Sequence, residues 1–199
     1  MPTDSISEAK IMLRQTMQRR RDALRAEEAA VWSRAIAERV LASPEVVRAA
    51  SVFVYVSIGR EVATRGLIEA LLGEGKTVAV PFIAGEPGEP GHLEVHCIAS
   101  LAELQPDRYG IPAPKHPRPL AGLPDVCLMP AVALSERGER LGMGGGYYDR
   151  YLAMHRPGVT MALAYEMQLV TMMPVERIDQ PVDAIVTERR VIRCTLPAT

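Results

Sequence analysis

Apolar positions along the chain fall into two periods. In 5–23, Ala9, Leu13 and Met17 recur at every fourth residue, and in 27–41 Trp32, Ile36 and Val40 do the same. Both stretches are predicted helices. Ser5-x-x-Glu8 is a capping-box pattern that opens the first, and Ser43-Pro44 stops the second. The run 51–57 (SVFVYVS) is β-branched, aromatic and apolar on both faces, the profile of a central parallel strand. Leu67, Ile68, Leu71 and Leu72 mark a helix over 64–73, Gly75 a turn, and 77–82 the next strand. Such a β-α-β unit predicts a right-handed crossover and parallel pairing. Further strands are predicted over 93–98 (nearer an edge), 125–129, 160–165 and 183–187. Further helices are predicted over 147–155 and 168–173, the second ended by Pro174. Residues 85–91 (GEPGEPG) read as a polar surface loop. Residues 101–123 read as irregular, held extended by proline without a sheet, and Tyr109 to Pro112 within them either line a pocket or pack the loop. Strands and helices alternate throughout, so the expected fold is a single α/β domain over 1–199. Its architecture would be a three-layer α/β/α sandwich around a mostly parallel sheet.

Composition narrows the function classes. A chain of 199 residues with 48% hydrophobic and 24% charged residues supports one domain with a sizeable core. The net charge of −1 offers no broad basic field for nucleic acid. No apolar run approaches the ~20 residues of a membrane span, and the polar, basic N-terminus is not a secretory signal. Cys97, Cys127 and Cys194 are odd in number and lack a CxxC pair, which predicts reduced, buried thiols in a cytoplasmic protein. His92 and His96 share one face of a strand without a third ligand, so they are expected at the surface and zinc is not expected. No obligate protein partner is evident.

The chemistry concentrates in 140–150, RLGMGGGYYDR. Gly142, Gly144, Gly145 and Gly146 fall within five positions between a predicted strand and a predicted helix. Exposed amides of such a turn and of a helix N-terminus form an anion site. The turn lacks the Lys-Ser/Thr of a P-loop and the spacing of GxGxxG. Arg140 just before it and Asp149 just after it supply the cation and carboxylate that a triphosphate with Mg²⁺ requires. Lys10 and Arg14 lie four residues apart on the first helix, on a basic face continued by Arg19, Arg20 and Arg21. By itself that face reads as solvated.

R-L-G-x-G-x-G-Y-Y-D resembles the signature of the 5-formyltetrahydrofolate cyclo-ligase (methenyltetrahydrofolate synthetase) family. Lys10-x-x-Leu13-Arg14, Glu61-Val62 and Val182-Asp183-x-Ile185-Val186-Thr187-Glu188 fit the same family in order. The chain departs from it at Met143, Ser135, Ala113 and Ile178. The resemblance implies ATP-dependent conversion of 5-formyltetrahydrofolate to 5,10-methenyltetrahydrofolate, with ATP as co-substrate and Mg²⁺ bound. It implies nucleotide contacts from Lys10 and Arg14 and from the whole run Arg140, Leu141, Gly142, Met143, Gly144, Gly145, Gly146, Tyr147 and Tyr148. Lys10 and Arg140 would offset charge during catalysis, and Arg21 and Arg25 would stay solvated. Val56, Glu61 and Tyr148 are implied as folate contacts, and Asp183 as the second metal carboxylate beside Asp149. Two other readings are open at this point: a sugar-phosphate isomerase on a similar fold, and a folate-binding regulatory paralogue without turnover.

Overall fold

The structure, a computed structural model, describes residues 3–85, 91–107 and 110–195. Tyr109 and most of the 85–91 loop lie outside the described residues. The elements run α1 (Thr3–Asp22), α2 (Ala26–Leu41), α3 (Pro44–Arg48), β1 (Ser51–Val54), α4 (Arg65–Gly73), β2 (Thr77–Ala84) and β3 (His92–Ile98). Then come β4 (Leu104–Pro106), β5 (Pro112–Pro114), β6 (Val126–Pro130), β7 (Ala133–Leu134), β8 (Arg140–Leu141) and α5 (Tyr147–Met154). The chain closes with β9 (Val159–Leu163), β10 (Ala184–Val186) and β11 (Val191–Arg193).

Seven strands form one sheet in the order β11-β10-β9-β6-β1-β2-β3. The five inner strands are parallel, and β3 and β11 pair antiparallel at the two edges. Alternation along β1 shows why both faces are covered. Val52 and Val54 pack beneath α2, α3 and α4, with Ile36, Val40, Val46, Leu67, Ile68 and Leu71 buried against them. Phe53 points the other way, toward Tyr151 and Leu152 of α5. The predicted three-layer α/β/α sandwich around a mostly parallel sheet is the observed fold.

The chain leaves β1 toward β2 on one side and leaves β6 toward β9 on the other. Strand order therefore reverses between β1 and β6, and a crevice opens beyond their carboxyl ends, where ligands gather in open α/β sheets. Helix α1 lies across this end of the sheet. It is anchored by Met17, 4% exposed, against Val132, Ala133 and Leu141.

Several local expectations differ from the structure. Helix α1 already includes Ser5, so the Ser5–Glu8 pair is not its cap. Pro44 stops α2 and also begins α3, because proline suits the first turn of a helix. The proline-rich segment contains the ribbon β4–β5. Beyond it, the Arg118 carbonyl accepts from the Cys97 amide and the Leu120 amide donates to Val95, so the outer edge of β3 is covered. No helix spans 168–173. A single 3-10 turn, Glu166–Gln168, ends there because Gln168 donates to the Ala131 and Val132 carbonyls and the Val170 amide donates to Leu134. His96 is not at the surface: it is 2% exposed, 2.7 Å from Glu94 and tilted against Phe82. Arg21 is not solvated either, being 7% exposed with its Nε unpartnered, whereas Arg25 is exposed. Among the described residues no helix is long and apolar enough to cross a membrane.

Met17→Ala should cost about 2–3 kcal/mol, the lower part of the usual range for emptying a buried methionine site. Because Met17 belongs to a small satellite cluster, the loss should be local. Hydrogen exchange should accelerate across α1 while amides of β1 and β6 keep their protection. Uniform acceleration would show that α1 is part of the main core.

Candidate active site

The crevice holds a cavity of about 980 Å³. One side is the glycine turn between β8 and α5. Gly144 (φ 107°) and Gly146 (φ 64°, the N-cap of α5) both adopt backbone conformations that favour glycine. A Cβ at Gly144 would lie 3.6 Å from the Arg14 guanidinium carbon, so backbone and cation sit in direct contact. Arg14 also donates from Nε to the Gly142 carbonyl at 2.9 Å. Lys10, one turn earlier, lines the same cavity. The packing of α1 across the strand ends thus brings Arg14 to a turn more than a hundred residues away and sets Lys10 on the wall of the same cavity.

Arg140 has a side chain only 2% exposed. Its Nη2 donates to Asp149 Oδ1 at 2.9 Å, its guanidinium lies 5.6 Å from the Tyr148 ring centroid, and its Nε has no partner. Asp149 Oδ1 also accepts from the Gln180 amide at 3.2 Å. Tyr148 stacks on Phe53 of β1 with centroids 6.0 Å apart and planes 18° apart. Burial holds its hydroxyl well above the ordinary range, with Cys127 and Glu61 adding to the shift. Tyr147 is half-buried and lies beneath Arg150, whose guanidinium is 5.0 Å from its ring centroid.

The far side of the cavity is largely apolar, lined by Tyr55, Val56, Ile58, Pro81, Ile83 and Leu93. Strand β1 ends at Val54, three residues sooner than the sequence pattern suggests. The chain then turns so that the Glu61 carboxylate accepts from the Ile58 amide at 3.0 Å. Burial raises the Glu61 pKa above 4.5, opposed by that amide and by the nearby Arg21.

Of the expected site residues, Lys10, Arg14, Val56, Glu61, the run Arg140 to Tyr148, and Asp149 all line this one cavity. Asp183 does not. It lines a second cavity with Thr160 and His155, and its Oδ2 accepts from the Thr160 amide at 2.8 Å and the Thr160 hydroxyl at 2.7 Å. That carboxylate ties the start of β9 to the start of β10. Two further acids on the main cavity, Glu176 and Asp179, were given no role from the sequence. Their signal is the spacing Glu176-x-x-Asp179, which closes a turn through the Glu176 amide to Asp179 Oδ2 at 2.7 Å. Both pair with Lys10: Glu176 Oε2 at 2.8 Å, Asp179 Oδ1 at 2.8 Å and Oδ2 at 2.6 Å. Among the described residues, no three His, Cys, Asp or Glu side chains converge as a complete metal cage. Mg²⁺ does not need one, since it commonly takes one or two carboxylates together with water and substrate phosphates.

Fold and cavity together define an α/β protein with a glycine turn, neighbouring cations and a largely apolar compartment in one crevice. Residues 6–188 match the model of the 5-formyltetrahydrofolate cyclo-ligase family. The chain is 38% identical over 181 residues to the 5-formyltetrahydrofolate cyclo-ligase of Escherichia coli, spanning 88% of this chain and 98% of that one. It is 27% identical over 199 residues to the Mus musculus protein of the same name, spanning 94% and 98%. The NMR structure of Aquifex aeolicus 5,10-methenyltetrahydrofolate synthetase superposes with a TM-score of 0.82 at 28% identity, covering 96% of this chain and 95% of that one. This chain belongs to the 5-formyltetrahydrofolate cyclo-ligase family and is a ligase.

Asp183→Ala should lower stability by about 1–3 kcal/mol, because the Thr160 donors lose a charged acceptor. Mg²⁺ affinity of the folded protein should not change. Weaker Mg²⁺ binding at unchanged urea midpoint would return Asp183 to the metal site.

Proposed function

We propose that this cavity holds ATP and 5-formyltetrahydrofolate side by side and that the chain converts them to 5,10-methenyltetrahydrofolate, ADP and phosphate. The observation that carries the reading is the presence of Lys10, Arg14 and Arg140 with a glycine turn on one cavity that also has an apolar compartment, in a chain of this family. An amide-like formyl oxygen is a poor leaving group. Its attack on the terminal phosphorus of ATP expels ADP and converts that oxygen into part of a phosphate ester. The neighbouring folate nitrogen, on the bridge to the aminobenzoyl group, then attacks the activated carbon and loses its proton, the carbon–oxygen bond breaks, and phosphate departs.

Phosphoryl transfer of this kind needs alignment and charge neutralisation more than covalent help from side chains. The amides of 142–146 would receive phosphate oxygens, Arg14 would present its terminal nitrogens, and Lys10 and Arg140 would offset charge at the reacting phosphate. Mg²⁺, when bound, neutralises charge developing on the phosphates, and Asp149 and Asp179 on this cavity are the carboxylates suited to hold it. Val56 and the Tyr148 ring would flank the pterin, while Glu61 would accept its amino and ring N–H groups. An acid at Glu61 repels phosphate, so it belongs to the folate side. The cations and acids of the site are all present, which speaks against a paralogue without turnover.

The reaction is tested by mixing the protein with 5-formyltetrahydrofolate and following the absorbance of the methenyl product. The product should form only with ATP, and chelating Mg²⁺ should stop ADP release. Arg14→Ala should raise the KM for ATP about tenfold, as expected for losing charge-assisted hydrogen bonds, with a much smaller change for folate. An unchanged KM for ATP would mean that the basic side of α1 is merely solvated.

Glu61→Gln should weaken folate binding by roughly 1–3 kcal/mol, the cost of leaving buried donors imperfectly paired, and leave ATP affinity unchanged. The pH dependence follows from the sign of its shift. A raised pKa means that Glu61 takes up its proton at a higher pH than the ordinary 4.5. Folate affinity should therefore fall as pH drops through that raised value, and the Gln variant should lack this step. A defect confined to ATP would place Glu61 on the wrong side of the site.

A further inference from the structure

Lys10 is held in a way that its proposed role as a phosphate contact does not require. Its side chain is 7% exposed and sits between two carboxylates. An ammonium group has three donors. Three oxygens lie within 2.8 Å of this one: Glu176 Oε2, Asp179 Oδ1 and Asp179 Oδ2. The ammonium is thus already paired with two acids, and a phosphate that reaches it must compete with both. The two acids differ in what else they do. Asp179 also accepts the Glu176 amide and closes the turn. The Glu176 carboxylate pairs with Lys10 alone among the described residues.

We propose that Glu176 makes the site select metal-complexed over metal-free ATP, by holding Lys10 until a cation arrives to take over its acids. The proposal rests on the reading of Lys10 as a phosphate contact. Metal-free ATP brings only negative charge. To reach Lys10 it must weaken the ion pairs and bring its phosphates against two carboxylates in a partly desolvated pocket, where like charges repel strongly. The metal complex carries two fewer negative charges and a cation for which Asp179 is a natural ligand. As that acid turns to the cation, Lys10 is freed toward the phosphates. Glu176 is a positioning residue here, because it acts only through Lys10.

The test is calorimetric titration of the full chain, without folate, with ATP in EDTA and with ATP in excess Mg²⁺. Glu176→Gln should tighten metal-free ATP about fivefold, the scale of a partly exposed ion pair, and change the Mg²⁺ complex by less than about twofold. Glu176→Asp retains the charge and should keep the discrimination, which controls for a local packing defect. Equal tightening of both forms would overturn the proposal in favour of general repulsion. So would unchanged or weaker metal-free binding in Glu176→Gln. In that case, weakened binding of the Mg²⁺ complex by Lys10→Ala would show that the reading of Lys10 itself survives. If Lys10→Ala alters neither form, that reading falls and the proposal falls with it.

Discussion

The site is organised around the need to match the charge of Arg140 from within. Its guanidinium is almost fully removed from water, and a buried charge is tolerated only when it is paired and hydrogen-bonded. Asp149 supplies that pairing from the first turn of α5. The ion pair closes 140–149 into a loop and leaves the glycines between its ends, on the cavity wall. The same Asp149 oxygen takes the Gln180 amide. One carboxylate therefore joins β8, α5 and the segment that carries Glu176 and Asp179. Tyr148, stacked between Arg140 and Phe53, fixes this assembly onto the central strand.

Charge balance is a general property of the anion end. Lys10 is matched by Glu176 and Asp179, Arg140 by Asp149, and Arg14 leans on the Gly142 carbonyl. Without this matching, three cations on one cavity would repel each other across a poorly solvated space. The pairing keeps α1 seated over the crevice in the free protein. It also means that an anionic ligand gains its contacts by exchanging partners, so its net affinity is the difference between two sets of strong interactions. The apolar end carries no such tension. Glu61 there is held by a backbone amide and the more distant Arg21.

Much of the fold was legible because its signals are local. A strand apolar on both faces and an amphipathic helix differ in period, and the residues of β1 and α2 carry those periods clearly. The failures were also physical. The glutamine that ends the turn at 166–168 acts through bonds to β6–β7 carbonyls, which no local pattern records. His96 and Arg21 look like surface residues by type, yet both are covered by elements distant in sequence. The resemblance implied Asp183 as the second metal acid, and in the structure one oxygen of that carboxylate accepts from Thr160 on the neighbouring strand, outside the main cavity. The acid that faces the cavity is four residues earlier.

The sequence by itself determined the class of fold, the parallel core, the glycine turn with its flanking Arg140 and Asp149, and the family. Each of these depends on spacing within a few residues or on a contiguous motif. Only the tertiary structure decided which charges meet. Lys10 and Arg14, four residues apart on a helix, are locally indistinguishable from a solvated basic face. What removes Lys10 from water is its contact with Glu176 and Asp179, 166 and 169 residues further along the chain. The energy of a charge depends on its burial and its partner, and both are set by how α1 crosses the ends of β1 and β6.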